Sequence, residues 1–172
     1  NEQKNDKKLE YYPKNYFGDD FTTTMSEFTY SILKDCCYFG LVQVHFNFNT
    51  FDIEVNGEDK GTIHGKGNHS YLNTVMIMML RKYLVDNAKF NPYVFIVDTS
   101  LHGFDDDVDD KMPDSMRAGL YCYFMNHQDE GQLIITENLD HIPSLDYEKH
   151  GVVVETFGKG LIPNTWYGLL TM

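Results

Sequence analysis

Tyr93-Val-Phe-Ile-Val-Asp98 is the stretch on which the fold turns. It opens after Asn91-Pro92, stays apolar for five residues and stops at a carboxylate. An apolar run this short, without alternation, is the pattern of a strand covered on both faces, as in a parallel sheet. The carboxylate then falls at the carboxyl end of the strand, where open α/β sheets bind ligands. A solvated loop aspartate is the plainer alternative for Asp98.

The residues on either side repeat the theme. Upstream, Gly61-Thr-Ile-His-Gly-Lys-Gly-Asn-His-Ser70 is a glycine-rich loop. It feeds a helix whose stripe is Tyr71, Leu72, Val75, Met76, Met79, Leu80, Tyr83 and Leu84. Downstream, Pro113 is placed to open a helix from its first turn, with Met116, Leu120, Tyr123 and Phe124 on the buried face. Gln132-Leu-Ile-Ile-Thr136 and Gly151–Phe157 read as two further buried strands. Nearer the start, Phe21, Met25, Phe28, Ile32, Leu33 and Cys36 have helical spacing, with Asp20 or Thr22 at the N-cap. Residues 42–48 and 51–55 alternate with period two, and Asn56-Gly57 makes the next turn. The predicted class is α/β: a largely parallel sheet flanked by helices, with a small N-terminal antiparallel hairpin. Residues 1–20 read as a polar tail or the end of a coiled-coil arm, and residues 21–172 as one lobe.

Composition narrows the function classes. The 172 residues are 42% hydrophobic and 15% aromatic, too apolar for a disordered segment. No apolar run approaches the ~20 residues of a membrane helix. Fourteen Lys and Arg against 26 Asp and Glu give a net charge of −12, a poor surface for phosphate neutralisation by this lobe alone. Cys36 and Cys37 are adjacent and Cys122 stands in an aromatic run, so no spaced disulfide framework or zinc pattern is present. A reducing, cytoplasmic setting is the expectation.

Candidate chemistry lies in two places besides Asp98. Gly65-Lys66-Gly67 ahead of a helix is a turn capped by Asn68 or Ser70, or an anion site made of helix N–H groups. It is not a P-loop, because Lys66 is followed by Gly67 and not by a hydroxyl residue. The run Asp105-Asp-Asp-Val-Asp-Asp110 lacks the EF-hand spacing and reads as a solvated loop. Neither a zinc-protease helix nor a serine nucleophile elbow occurs.

The order of these motifs resembles the C-terminal lobe of an ABC-type ATPase head of the SMC, RecN and SbcC group, over about residues 40–160. On that resemblance His64-Gly-Lys-Gly-Asn68 stands at the signature motif, Tyr93–Asp98 at the Walker B strand and Ser100-Leu-His-Gly-Phe-Asp105 at the D-loop. Gln132-Leu-Ile-Ile-Thr-Glu-Asn138 stands at the strand leading to the switch histidine. The resemblance implies ATP and Mg2+ as cofactors, with Asp98 as metal ligand and Gly65, Lys66, Gly67, Asn68 and Asp105 on the nucleotide. It also implies an N-terminal lobe carrying Walker A, a second head in a homodimer, DNA reached through the full complex, and a nuclease or accessory subunit among the partners. Two positions depart from the family pattern. Thr99 stands where the family has the glutamate that polarises water, and Asn138 where it has histidine. Thr99, Asn138 and Glu137 therefore join Asp98 as the catalytic positions, with Glu137 or His102 as substitutes for the missing base. The resemblance yields two functions: an ATPase acting in DNA maintenance, repair or defence, and a non-hydrolysing domain that dimerises on nucleotide.

Overall fold

A computed structural model describes residues 12–63, 66–102, 112–158 and 166–167. Helix α1 spans Phe21–Asp35 and buries Phe21, Met25, Thr29, Ile32 and Leu33, the face that its spacing predicts. Asp20 takes the N-cap position without a side-chain capping bond. The antiparallel unit follows: β1 (Val44–Asn47) pairs with β2 (Asp52–Val55), and β2 with the short β3 (Glu58–Asp59). Its register opposes Phe46 to Ile53 on the buried face and His45 to Glu54 on the other. Asn56 and Gly57 both have positive φ, the pair of conformations that a two-residue hairpin turn requires. Ser26 couples α1 to this sheet, since its hydroxyl accepts the Phe46 N–H at 2.9 Å.

Helix α2 runs from Lys66 to Asn87. It starts earlier than its sequence suggests: Asn68 and Ser70 lie inside its first turns and do not cap it. Ser70 instead directs its hydroxyl to the carbonyl of Thr99, 2.9 Å away. Strand β4 (Val94–Asp98) pairs in parallel with β5 (Gln132–Thr136), in a register that sets Ile96 beside Ile134 and Asp98 beside Thr136. Between them, α3 (Asp114–Asn126) buries Met116, Leu120, Tyr121, Tyr123 and Phe124, and Pro113 stands just ahead of its first residue.

The core lies between α1, α2, α3 and the inner faces of both sheets. Phe17, Phe21, Phe46, Phe48, Phe51 and Tyr83 form an aromatic cluster at one end, with Phe17 and Phe21 centroids 4.1 Å apart. Phe17 thus packs into the core from the segment that composition alone reads as a tail.

The sheet is smaller than expected. Among the described residues the parallel pairing is confined to two-stranded units, β4–β5 and the pair β6 (Phe157–Gly158) and β7 (Trp166–Tyr167). The described residues form no large parallel sheet, and residues 152–156 join no ladder among them. An apolar run reports a demand for burial and not a hydrogen-bonding partner, and no described strand supplies one there. The same shortage shows on β4 and β5. Phe95, Val97, Leu133 and Ile135 turn toward the core, while Val94, Ile96 and Ile134 on the opposite face stay 45%, 66% and 41% exposed.

Candidate functional site

Strands β4 and β5 end level with each other, and a set of polar groups meets at that rim. Asp98 is exposed there, and the Thr136 hydroxyl donates to its Oδ1. The ladder continues one residue further through Thr99 N–H to Thr136 O at 2.9 Å. The chain then turns with Thr99 at φ +50°, a left-handed conformation that is unusual for a β-branched residue and costs on the order of 1–3 kcal/mol. Ser70 holds the Thr99 carbonyl, so the first turns of α2 are tied to the end of β4.

Behind the rim sits Glu137, with its side chain 1% exposed. Its Oε2 accepts from the Ser100 hydroxyl at 3.1 Å and the Leu101 N–H at 3.0 Å. Its Oε1 accepts from the Asn138 N–H at 3.0 Å and meets His141 Nδ1 at 3.0 Å. One carboxylate therefore joins the loop after β4 to the loop after β5. The Tyr121 hydroxyl is buried nearby, and burial together with the Glu137 charge raises its pKa well above the ordinary tyrosine value. Burial pushes Tyr147 up to about 12.

A cavity of about 1170 Å³ opens beside this node. It is lined by β5, by the extended segment 151–157, and by Tyr121, Phe124 and Ile142 among the deeper residues. Both β5, on its side away from β4, and residues 152–156 lack ladder partners among the described residues.

Of the positions singled out by sequence, Asp98, Thr99, Glu137 and Asn138 come together on this rim. Gly67 and Asn68 lie in the first turn of α2, and Lys66 begins it. Gly65 and His64 lie outside the described residues, as do Asp105 and the rest of the acidic run. His102 is exposed, and its N–H donates to the Thr99 carbonyl at 3.1 Å. Ser70, Ser100, Thr136 and His141 belong to the site as well; the first three stand inside the quoted stretches without being given a site role there, and no motif reaches His141. Their roles arise from the β4–β5 register and from the packing of α2 on the strand ends.

The donors on the rim are hard oxygens, the Asp98 carboxylate and the Thr136 hydroxyl. Mg2+ accepts such a set when nucleotide phosphates and water fill most of its sphere. Among the described residues no group of three His, Cys, Asp or Glu side chains forms a closed metal site. The three cysteines are free, and burial holds the Cys36 thiol at about 12. No described helix is long and apolar enough to cross a membrane. Compared with family models, curated proteins and solved structures, the chain has no significant match to any.

Proposed function

We propose that this chain is the C-terminal lobe of an ATPase head similar to those of the SMC and SbcC group. In this reading it binds and hydrolyses ATP when completed by an N-terminal lobe and a second head, in DNA maintenance, repair or defence. The observation that carries the reading is Asp98, held by Thr136 at the carboxyl end of a parallel strand pair that no other described strand joins and whose outer face is exposed. Parallel strands are ordinarily covered on both faces. The exposed Ile96 and Ile134, and a cavity bordered by two stretches of unpaired backbone, suit a domain whose remaining strands come from another lobe. The link from Ser70 to Thr99 ties the start of α2 to that strand end, which suits the reading.

In this scheme Asp98 would hold Mg2+, and the ion would supply charge neutralisation for the nucleotide phosphates. The N–H groups at the start of α2 suit an anion presented by the second head. Thr99 cannot act as a carboxylate base, and general-base assistance is typically worth about 10²–10⁴ in rate. That residue favours the second reading, a domain in which nucleotide joins two heads without turnover.

Sedimentation and ADP release, measured together on the full-length protein, separate the two. The ATPase reading expects ATP-dependent association with turnover, and a loss of at least about 100-fold in kcat for Asp98→Ala, the scale of removing one preorganised electrostatic group. Association without ADP release establishes the second reading. Neither association nor release overturns both.

A further inference from the structure

The contacts of Glu137 assign it a different task from that of a base. We infer that Glu137 is a positioning residue that locks the loop after β4 to the loop after β5 and fixes His141 in one tautomer. Two of its four donors are backbone N–H groups, Leu101 on Oε2 and Asn138 on Oε1, and these can only donate. The third is the hydroxyl of Ser100, itself 1% exposed. With both oxygens so occupied and the side chain buried, the carboxylate has no lone pair directed at the rim.

An ionised carboxylate only accepts, so the Nδ1 of His141 facing Oε1 carries a proton. In the neutral ring the second nitrogen, Nε2, is then the acceptor. The hydrogen bond at one nitrogen sets the chemistry of the other, as in carboxylate–histidine pairs generally. His141 lines the cavity beside β5, so the pair presents a defined imidazole to that cavity. The same carboxylate holds Ser100 and Leu101, which come two and three residues after Asp98. A shift of either loop is therefore felt by the other. The assignment of tautomer stands on geometry alone; its effect on turnover rests on the ATPase reading.

The test is the imidazole 15N spectrum of full-length protein labelled at histidine, with the His141 signals identified by their loss in His141→Gln. The neutral His141 ring is expected to be protonated at Nδ1. Glu137→Gln leaves one acceptor oxygen for two backbone N–H groups, so the hold on His141 Nδ1 is weakened and the ring is expected to exchange between both tautomers. Ser100→Ala leaves the histidine contact in place and is expected to keep the original tautomer. A wild-type ring protonated at Nε2, or exchanging between both forms, overturns the proposal even if Glu137→Gln fails to fold. The second readout is steady-state ATP turnover, where Glu137→Gln is expected to lower kcat by about 10-fold or more with KM little changed. Unchanged kcat in that variant overturns the positioning role. Absence of turnover in the wild type counts against the ATPase reading and leaves the tautomer result to stand or fall by itself.

Discussion

Replacing Arg81 with methionine is expected to cost about 3–5 kcal/mol, the usual effect of removing one member of a buried ion pair. Arg81 is 0% exposed although it lies in the middle of α2. Its Nη2 donates to the carbonyls of His127 at 2.7 Å and Gly131 at 2.6 Å, which follow α3 and precede β5. Its Nη1 lies 3.5 Å from Glu130 Oε2, an ion-pair distance without hydrogen-bond geometry. Burial lowers the Arg81 pKa and the Glu130 charge opposes that shift; burial raises the Glu130 pKa and Arg81 opposes it in turn. Methionine keeps much of the volume, so the loss isolates the two carbonyls and the Glu130 charge. Lys82, 3.8 Å from Glu130 Oε1, relieves part of the latter. For a domain of this size the change corresponds to roughly 6–20 °C in Tm. Thermal or urea unfolding checks it, and Arg81→Met/Glu130→Met is expected to recover a large part of the loss, because no buried charge then lacks its partner. A single variant within about 0.5 kcal/mol of wild type, the range of ordinary surface changes, is incompatible with this role.

Gly119→Ala is the second large effect. Gly119 lies where α3 crosses the end of α1, and a Cβ there would meet the Cys36 carbonyl oxygen at 2.5 Å and its carbon at 2.6 Å. The obstacle is backbone, so no rotamer change relieves it. The Tyr71 hydroxyl, 3.4 Å from both the Cys36 and Met116 carbonyls, holds the same crossing closed. The expected cost is about 3 kcal/mol, the upper end of ordinary overpacking. Gly61→Ala is the control, since nothing lies within 4 Å of the added carbon and the change is expected to be within about 0.5 kcal/mol of neutral. Equal unfolding midpoints for Gly119→Ala and Gly61→Ala would show that the two helices do not meet as described.

Much of this architecture is legible in the sequence because it is local. The stripe of α1, the alternation in β1 and β2, the Asn56-Gly57 turn and the apolar run ending at Asp98 each depend on a few neighbouring residues. What escapes is long-range. Arg81 lies outside the apolar stripe read for α2, and only the fold brings the end of α3 and the start of β5 onto it. Glu137 and Asn138 are reached through a resemblance that assigns roles by position. The contacts that decide the role of Glu137 come from Ser100 and Leu101, 37 and 36 residues away, and from His141. They depend on the register that sets Asp98 beside Thr136. The expected third strand fails for a related reason: the valines at 152–154 state an apolar preference, whereas a strand also needs a partner backbone.

On the proposed ATPase reading, nucleotide binds where β4 and β5 end. Hydrogen–deuterium exchange of the full-length protein, with and without excess Mg·ATP, tests it most directly. The expected result is slower exchange in residues 94–102 and 132–142, reduced by Asp98→Ala, with β1 and β2 unchanged. Identical exchange in both segments, with protection elsewhere in the chain or nowhere, would contradict the account.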